Sequence, residues 1–189
     1  WVYILDRITG EPLLGIDERP VLQEPRQSTS STQPYPRGDA FVPQMVDIAP
    51  EGYTLVNQGR IFTPYWTEGA VSKPASFGGA NWPPSSYDPA SSYYYVCAND
   101  RMNNFNGGER HNEIPPDGEG YTGGRFERVP MPPTGIFAAL DMRTNRIVWR
   151  QRWKDMCYSG SVVTAGGLLF VGRNDGRLTA LDSSDGLPL

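Results

Sequence analysis

Residues 164–186, TAGGLLFVGRNDGRLTALDSSDG, carry the pattern from which the fold follows. Two short apolar runs, Leu168–Val171 and Leu178–Leu181, flank an Arg-Asn-Asp-Gly-Arg turn, and Asn-Asp-Gly is what a β-hairpin turn requires. A second turn, Asp182–Gly186, follows directly. The stretch therefore predicts strand, turn, strand and turn, without a helix.

A similar pattern occurs elsewhere in the chain, so the fold is predicted to be built from repeats. Residues 135–149 and 176–189 share a glycine, an Ala-Leu-Asp sequence and an Asn or Gly in the turn that follows. Asp141 and Asp182 lie 41 positions apart, a spacing that suits one four-stranded propeller blade. In each unit the Asp caps the turn, and the Asn or Gly supplies the positive φ. Weaker copies lie at residues 1–13 (around Asp6) and 86–96 (around Asp88).

The composition supports an all-β chain and excludes several classes of protein. The sequence holds 18 Pro and 21 Gly with 12% aromatic residues, which is typical of strands and turns with large apolar anchors. A net charge of -4 and the absence of a basic stripe exclude a nucleic-acid partner. No apolar run is long enough to span a bilayer, and residues 1–6 lack the pattern of a signal peptide.

The chain has too few metal-binding side chains for a zinc knuckle or a haem attachment motif. Its two cysteines, Cys97 and Cys157, form no Cys-x-x-Cys, and the sequence leaves open whether they pair. His111, the one histidine, lies in a Gly- and Asn-rich stretch and is expected to be solvated.

The repeats predict a partial β-propeller of roughly three to four blades, with long irregular loops. A closed propeller needs more blades, so we expect the chain to be part of a longer one. Residues 18–50 hold too many prolines for a strand ladder, and residues 99–133 read as a flexible loop. The predicted segments of a single domain are 1–17 (blade strand pair), 18–58 (Pro-rich insertion), 59–98 (blade), 99–133 (Gly/Asn-rich loop), 134–175 (blade) and 176–189 (start of the next blade). Three tryptophans are expected to pack between blades: Trp1, Trp149 and Trp153.

Together with the repeat, two motifs resemble the pyrroloquinoline quinone (PQQ) dependent dehydrogenases, which are eight-bladed propellers that oxidise alcohols or sugars. They are FGGANWPPSSYDP at 77–89 and CYSGSVVTAGGLLFVGRNDG at 157–176. The Pro-rich insertion and GRIFTP at 59–64 are most similar to the membrane-associated, glucose-dehydrogenase-like branch. The resemblance implies an extracytoplasmic or periplasmic protein that passes electrons to a quinone pool or a cytochrome c, with membrane association of the full protein.

The resemblance also implies which residues contact the cofactor. Asn81 matches a residue that contacts the quinone, and Trp82 beside it offers an indole N–H and a flat face. Tyr158 stands where the family often has a Trp at the cofactor's edge, so this position departs from the pattern. Two alternatives stay open: Asn81 holding its own turn, and Tyr158 filling the core. Cys157 is interpreted as a small buried thiol and not as a nucleophile.

The remaining machinery of the family is expected outside the sequence. The general base, the ligands of a calcium or lanthanide ion and the arginine on the quinone oxygens would all precede Trp1, so residues 1–189 alone are predicted to be inactive. One rival function is a non-catalytic propeller that serves as a scaffold or binding module, which has no need of the Gly-Gly-Ala-Asn-Trp motif. A hydrolase is the other rival, but the chain offers no Ser-His-Asp set.

Overall fold

The computed structural model describes residues 1–107, 113–120 and 123–189, so His111 lies outside the described residues. Within these ranges the chain forms strands, turns and one 3-10 turn at Asn57–Gly59. The described strands are β1 (Ile16–Pro20), β2 (Thr32–Pro36), β3 (Ala70–Ser72), β4 (Ser86–Asp88), β5 (Tyr93–Asp100), β6 (Asn103–Asn106), β7 (Arg125–Arg128), β8 (Thr134–Asp141), β9 (Arg146–Trp153), β10 (Ser161–Val163), β11 (Leu168–Gly172) and β12 (Leu178–Asp182). All pair antiparallel, which confirms the predicted all-β class.

One sheet, in the order β4-β5-β8-β9, is a complete four-stranded blade. Its two middle strands, β5 and β8, are buried on both faces of the sheet. Successive side chains of a strand point to opposite faces, so each strand contributes to two cores. Tyr95 and Phe137 belong to the core on one face, whereas Val96 and Ile136 belong to the core on the other. A sheet covered on both faces is what a blade inside a propeller requires.

The next sheet, β10-β11-β12, packs on the first of these faces, and the two sheets form a wedge. At the inner edge, the hydroxyls of Ser86 on β4 and Ser161 on β10 lie 2.8 Å apart. Towards the outer edge the indole of Trp149 fills the gap, and its Nε1 donates a hydrogen bond to the Ser183 carbonyl at 3.1 Å. Small side chains inside and large ones outside give successive sheets the taper of propeller blades, which confirms the predicted partial propeller.

The repeat corresponds to the third strand of a blade and the turn after it. Asp141 ends β8 and Asp182 ends β12, and each of these strands is third in its sheet. Asn145 has φ 55° and Gly186 has φ 76°, as the turn pattern predicts. Beyond the turns, matching isolated bridges join Leu181 to Pro188 and Leu5 to Pro12.

Only part of the predicted tryptophan packing between blades is found. The ring of Trp149 contacts Gly186 of the next sheet, and Trp153 stacks under the Arg173 guanidinium, 3.8 Å from the ring centre to Cζ. Trp1 instead meets Tyr35 edge-on at 5.1 Å between ring centres, and Tyr35 lies on the β1-β2 hairpin.

The prediction that residues 18–50 contain no strand ladder is wrong for the β1-β2 hairpin. In its register Glu18 faces Pro34 and Pro20 faces Thr32, so the prolines occupy alternate pairs. The backbone hydrogen bonds of the hairpin fall in the other set of alternate pairs. Arg37 and Val21, each one position beyond a proline, donate two of them. The prolines therefore occupy positions at which an N–H would point away from the partner strand, to a free edge of the two-stranded ribbon. Their lack of an N–H removes no hydrogen bond between the strands.

The predicted loop at residues 99–133 also contains strands. β6 and β7 pair with each other, and β3 pairs with β6 to make a third sheet. Before and after this excursion, β5 and β8 pair along their whole length, from Tyr93–Asp141 to Asp100–Thr134. Strand pairing therefore divides the chain differently from the predicted segments, since strands from 59–98 and 134–175 share one blade. The assignment of residues 1–189 to one domain stays a prediction.

Candidate functional site

The two loops that enter the inner strands hold all three predicted site residues. Asn81 and Trp82 lie just before β4, and Tyr158 lies just before β10. Because β4 and β10 lie side by side, the two loops meet at the same end of the wedge.

Trp82 and Tyr158 contact each other although 76 positions separate them. The Trp82 Nε1 donates a hydrogen bond to the Tyr158 hydroxyl at 2.8 Å, and the rings are perpendicular with centres 5.6 Å apart. The hydrogen bond to the Tyr158 hydroxyl fixes the orientation of the indole, while 72% of the Trp82 surface stays exposed. The pair presents a flat aromatic face to its surroundings.

Asn81 holds its own bend. Its Nδ2 donates to the Phe77 carbonyl at 3.1 Å, and its Oδ1 accepts from the Trp82 backbone N–H at 2.8 Å. A carboxamide has two N–H donors and two lone pairs, so each atom keeps the capacity for one more bond. The turn-holding role is therefore present, and contact with a cofactor stays a prediction.

The glycines of the bend serve packing inside the protein. A Cβ on Gly79 would lie 2.6 Å from a Val42 methyl group, and the Gly79 carbonyl accepts from the Asn99 N–H at 2.8 Å. Gly78 has φ 71°, which glycine adopts without strain. The bend is thus pressed onto the blade and its position is fixed.

A disulfide joins Cys97 on β5 to Cys157, with 5.3 Å between their Cα atoms. The pairing that the sequence left open is therefore present, and Cys157 is buried as expected. The Ser159 backbone N–H also donates to the Cys97 sulfur at 3.4 Å. Tyr158, between these two anchors, is held against the blade.

A pocket of about 140 Å³ opens beside Tyr158. It is lined by Phe77, Gly78, Asn99, Arg101, Met156 and Tyr158. Asn99 is 8% exposed, and its Oδ1 has no hydrogen-bond partner among the described residues. Arg101 lies over the Phe77 ring, 5.5 Å from the ring centre to Cζ. Sequence reasoning missed Asn99 and Arg101; their one signal is a polar Asn-Asp-Arg run directly after an apolar strand.

Asp100 takes no part in this pocket. Successive strand residues face opposite sides, and its carboxylate instead pairs with Lys73 Nζ at 2.7 Å and with Arg152 Nη1 at 3.3 Å. The carboxylate beside Arg101 in sequence is therefore already neutralised by two other cations.

The aspartates that recur with the blades serve their turns. Asp141 accepts from the Arg143 N–H at 2.9 Å, and Asp182 accepts from the Ser184 N–H at 2.8 Å. Hydrogen bonds from the side chains and backbone of Arg143 and Ser184 lower the pKa of both carboxyl groups. The same arrangement holds at two more turns, those of Asp6 and Asp88. Their predicted capping role is confirmed.

Among the described residues, no three His, Cys, Asp or Glu side chains come together as metal ligands. Among the same residues, no helix has the length and apolar character needed to cross a bilayer.

Comparison with known proteins identifies similar chains. The family model described as the β-propeller domain of PQQ-dependent glucose, ethanol and alcohol dehydrogenases matches residues 1–128. A quinate/shikimate dehydrogenase (quinone) of Acinetobacter baylyi is 27% identical over an alignment that covers 99% of this chain and 31% of the relative. A 1-butanol dehydrogenase (quinone) of Thauera butanivorans is 31% identical over 65% of this chain and 19% of the relative. The chain thus spans about a third or less of these relatives.

Solved structures show the same fold. A quinohemoprotein alcohol dehydrogenase from Comamonas testosteroni superposes with a TM-score of 0.63 at 20% identity, covering 98% of this chain and 26% of that one. A europium-containing methanol dehydrogenase superposes with a TM-score of 0.58 at 23% identity, covering 98% of this chain and 29% of the other. At these identities the likeness establishes the fold alone.

Proposed function

The chain belongs to the family of β-propeller domains of the PQQ-dependent glucose, ethanol and alcohol dehydrogenases, and we propose that it forms one side of the PQQ site of such an enzyme. The observation that carries this proposal is the contact between Trp82 and Tyr158 at the end of the wedge where the inner strands begin. The enzyme as a whole would oxidise an alcohol or sugar hydroxyl.

The exposed groups at this end of the wedge fit PQQ, a planar quinone with three carboxylates. The Trp82 indole offers an exposed face for the rings, and its orientation is fixed by the Tyr158 hydroxyl. Asn81 has one N–H and one lone pair left for the rim of a ligand. When bound, PQQ would supply the two-electron acceptor for an alcohol that loses a hydride and a proton to become a carbonyl compound. Trp82, Tyr158 and Asn81 would bind, orient and exclude water.

We assign the general base and the ligands of a calcium or lanthanide ion to parts of the enzyme other than residues 1–189. The ion would supply a Lewis acid beside the cofactor. The enzyme would deliver the electrons to a quinone pool or a cytochrome c. We place the enzyme in the periplasm, in association with the membrane.

PQQ binding to the full-length enzyme tests the proposal. Trp82→Ala is expected to raise the Kd for PQQ about tenfold, because it removes an aromatic face. Phe126→Ala, at an exposed aromatic on β7, serves as the control and is expected to leave the Kd unchanged. Equilibrium dialysis with calcium or lanthanum present gives the Kd, and a dye-linked alcohol assay gives the activity.

The same measurement separates the enzyme from the alternative, a propeller that acts only as a scaffold or binding module. A scaffold would bind no PQQ and would reduce no dye with any alcohol or sugar, whichever ion is added. That result would overturn the proposed function.

A further inference from the structure

The bend at residues 77–82 has few side chains with which to hold itself in place. Residues 78–80 are Gly-Gly-Ala, and glycine has the most conformational freedom of any residue. A binding site nevertheless requires that Asn81 and Trp82 keep one position. Hydrogen bonds from other segments therefore have to supply the order that the bend lacks. Several come from residues 99–103, which join β5 to β6.

Asn103, the first residue of β6, holds the residue that directly precedes the bend. It is 2% exposed, and its Oδ1 accepts from the Ser76 backbone N–H at 3.0 Å and from the Ser76 hydroxyl at 3.1 Å. Its Nδ2 donates to the carbonyl of Glu127 on β7 at 2.8 Å. One buried carboxamide therefore joins the entry of the bend to the sheet β3-β6-β7.

A short series of hydrogen bonds leads from Ser76 to the proposed site residues. The carbonyl of the next residue, Phe77, accepts from the Asn81 Nδ2 at 3.1 Å. The Asn81 Oδ1 in turn accepts from the Trp82 backbone N–H at 2.8 Å. A shift of Ser76 would displace the carbonyl that the Asn81 side chain contacts, and with it the backbone that carries the Trp82 indole.

Two more contacts tie the same part of the chain to residues 99–103. The Gly79 carbonyl accepts from the Asn99 N–H at 2.8 Å. Lys73, ahead of the bend, pairs through its Nζ with Asp100 at 2.7 Å, and the two side chains are only 11% and 10% exposed. The bend and its entry are thus fixed to the segment that leads into β6, and Asn103 extends this connection to β7.

We propose that Asn103 is a positioning residue of the PQQ site, and that β6 and β7, which lie outside the four-stranded blade, support the cofactor bend through it. Asn103 acts through Ser76 and Asn81 and not by contact with the cofactor. This inference rests on the proposed function and deepens it, because it gives a residue outside the bend a share in the affinity for PQQ.

Equilibrium dialysis of the full-length enzyme with PQQ measures this share. Asn103→Ala removes both bonds to Ser76 and is expected to raise the Kd for PQQ about three- to tenfold, as a displaced bend would. Ser76→Ala keeps the bond from the backbone N–H and is expected to raise the Kd by about twofold. If Asn103→Ala fails to fold, Ser76→Ala, at an exposed residue, decides the question.

Asn145→Ala is the matched control. Asn145 is also almost fully buried and also donates through its Nδ2 to main-chain carbonyls, but it follows the end of β8 that lies away from Asp100. Its replacement is expected to leave the Kd for PQQ unchanged. An equal rise of the Kd in Asn103→Ala and Asn145→Ala would mean that the affinity follows general stability, and would overturn the proposal.

The position of the indole provides a second readout that does not need PQQ. In the full-length enzyme labelled with 5-fluorotryptophan, the ¹⁹F resonance of Trp82 is assigned by its loss in Trp82→Phe. We expect this resonance to shift or broaden in Asn103→Ala and to stay unchanged in Asn145→Ala. The Trp149 resonance should stay unchanged in Asn103→Ala. The proposal requires both the rise of the Kd and the altered Trp82 resonance, so a wild-type value of either one overturns it.

The two readouts distinguish this proposal from the proposed function. If the wild type binds PQQ and Asn103→Ala changes neither the Kd nor the Trp82 resonance, the positioning role is wrong while the proposed function stands. If the wild type never binds PQQ, the proposed function fails, and a share of Asn103 in PQQ affinity fails with it. The Trp82 resonance then still shows whether Asn103 holds the bend.

Discussion

Asn145, in the turn between β8 and β9, joins distant parts of the chain. It is 1% exposed, and its Nδ2 donates to the carbonyls of Val2 at 2.9 Å and Arg37 at 3.0 Å. Gly38 packs so closely that a Cβ there would lie 2.4 Å from the Asn145 carbonyl oxygen. One turn residue thus ties the blade to the first residues of the chain and to the segment that follows β2.

Replacing this side chain is expected to be costly. Asn145→Ala removes two part-buried hydrogen bonds and should lower the free energy of unfolding by about 1–3 kcal/mol. Asn145→Gly loses the same bonds but relieves the positive φ, so it should cost about 1 kcal/mol less. Urea unfolding of the full-length protein measures both. Asn174→Ala, in an exposed turn, is the control. An equal loss of unfolding free energy at both positions would mean that the Asn145 hydrogen bonds do not join these segments.

The turn that follows β12 shows how one element fits the next. Gly186 has φ 76°, and a Cβ there would lie 2.6 Å from the Trp149 ring. Gly176, in the preceding hairpin turn, has φ 88° with nothing within 4 Å of its Cβ position. The two glycines share the backbone requirement but differ in packing.

This difference gives a matched pair of variants. Gly176→Ala is expected to cost about 1–2 kcal/mol, the strain of a left-handed backbone. Gly186→Ala should cost about 1–3 kcal/mol more, because the methyl group displaces the Trp149 indole that separates the two sheets. Thermal unfolding compares them, and equal shifts of Tm would mean that the indole is not wedged between the blades.

The elements that repeat could be predicted from the sequence, and those that do not repeat could not. Ala-Leu-Asp followed by Asn or Gly predicts the third strand and turn of each blade because local turn chemistry determines them. β6 and β7 escape prediction, since Asn-Asn-Phe-Asn and Arg-Phe-Glu-Arg lack an apolar alternation. The β1-β2 hairpin escapes because the register, and not the number of prolines, decides whether a ladder forms.

The candidate site was predictable only in part for a similar reason. Asn81, Trp82 and Tyr158 could be named from their motifs, but the bond between Trp82 and Tyr158 depends on how two blades pack. Asn99 and Arg101 line the pocket at the end of β5. Residues 101–133 leave the blade at this point, and β8 then returns to pair with β5. The polar run at residues 99–101 indicates where the apolar strand ends, but it does not indicate which loops lie beside it.

At the scale of the whole molecule, the sheets β4-β5-β8-β9 and β10-β11-β12 form two consecutive wedges. Phe41 and Val42 cover the face of the β4-β5-β8-β9 blade that is turned away from β10-β11-β12, so the blade is packed from both sides. The Cys97–Cys157 disulfide crosses from this blade to the loop that enters the next one. The bond therefore fixes two wedges to each other beside Tyr158.

Removing this bond is expected to loosen the join between the wedges. Its cysteines are 60 positions apart, so the loop-closure entropy of the unfolded chain predicts a loss of about 4 kcal/mol in Cys97→Ala/Cys157→Ala. Urea unfolding with and without dithiothreitol measures it. Reductant should lower the midpoint of the wild type but not that of the variant. If the wild type did not respond, the disulfide would have no stabilising role.

The central claim is that the packed wedges bring the bend at 77–82 and the loop at 154–160 to one side of a PQQ slot. A structure of the full-length enzyme with PQQ bound tests it most directly. We expect the quinone to lie within about 4 Å of the Trp82 indole and within hydrogen-bond distance of Asn81 or Tyr158. A quinone bound at another place, with Trp82 in contact with protein or solvent alone, would contradict the account.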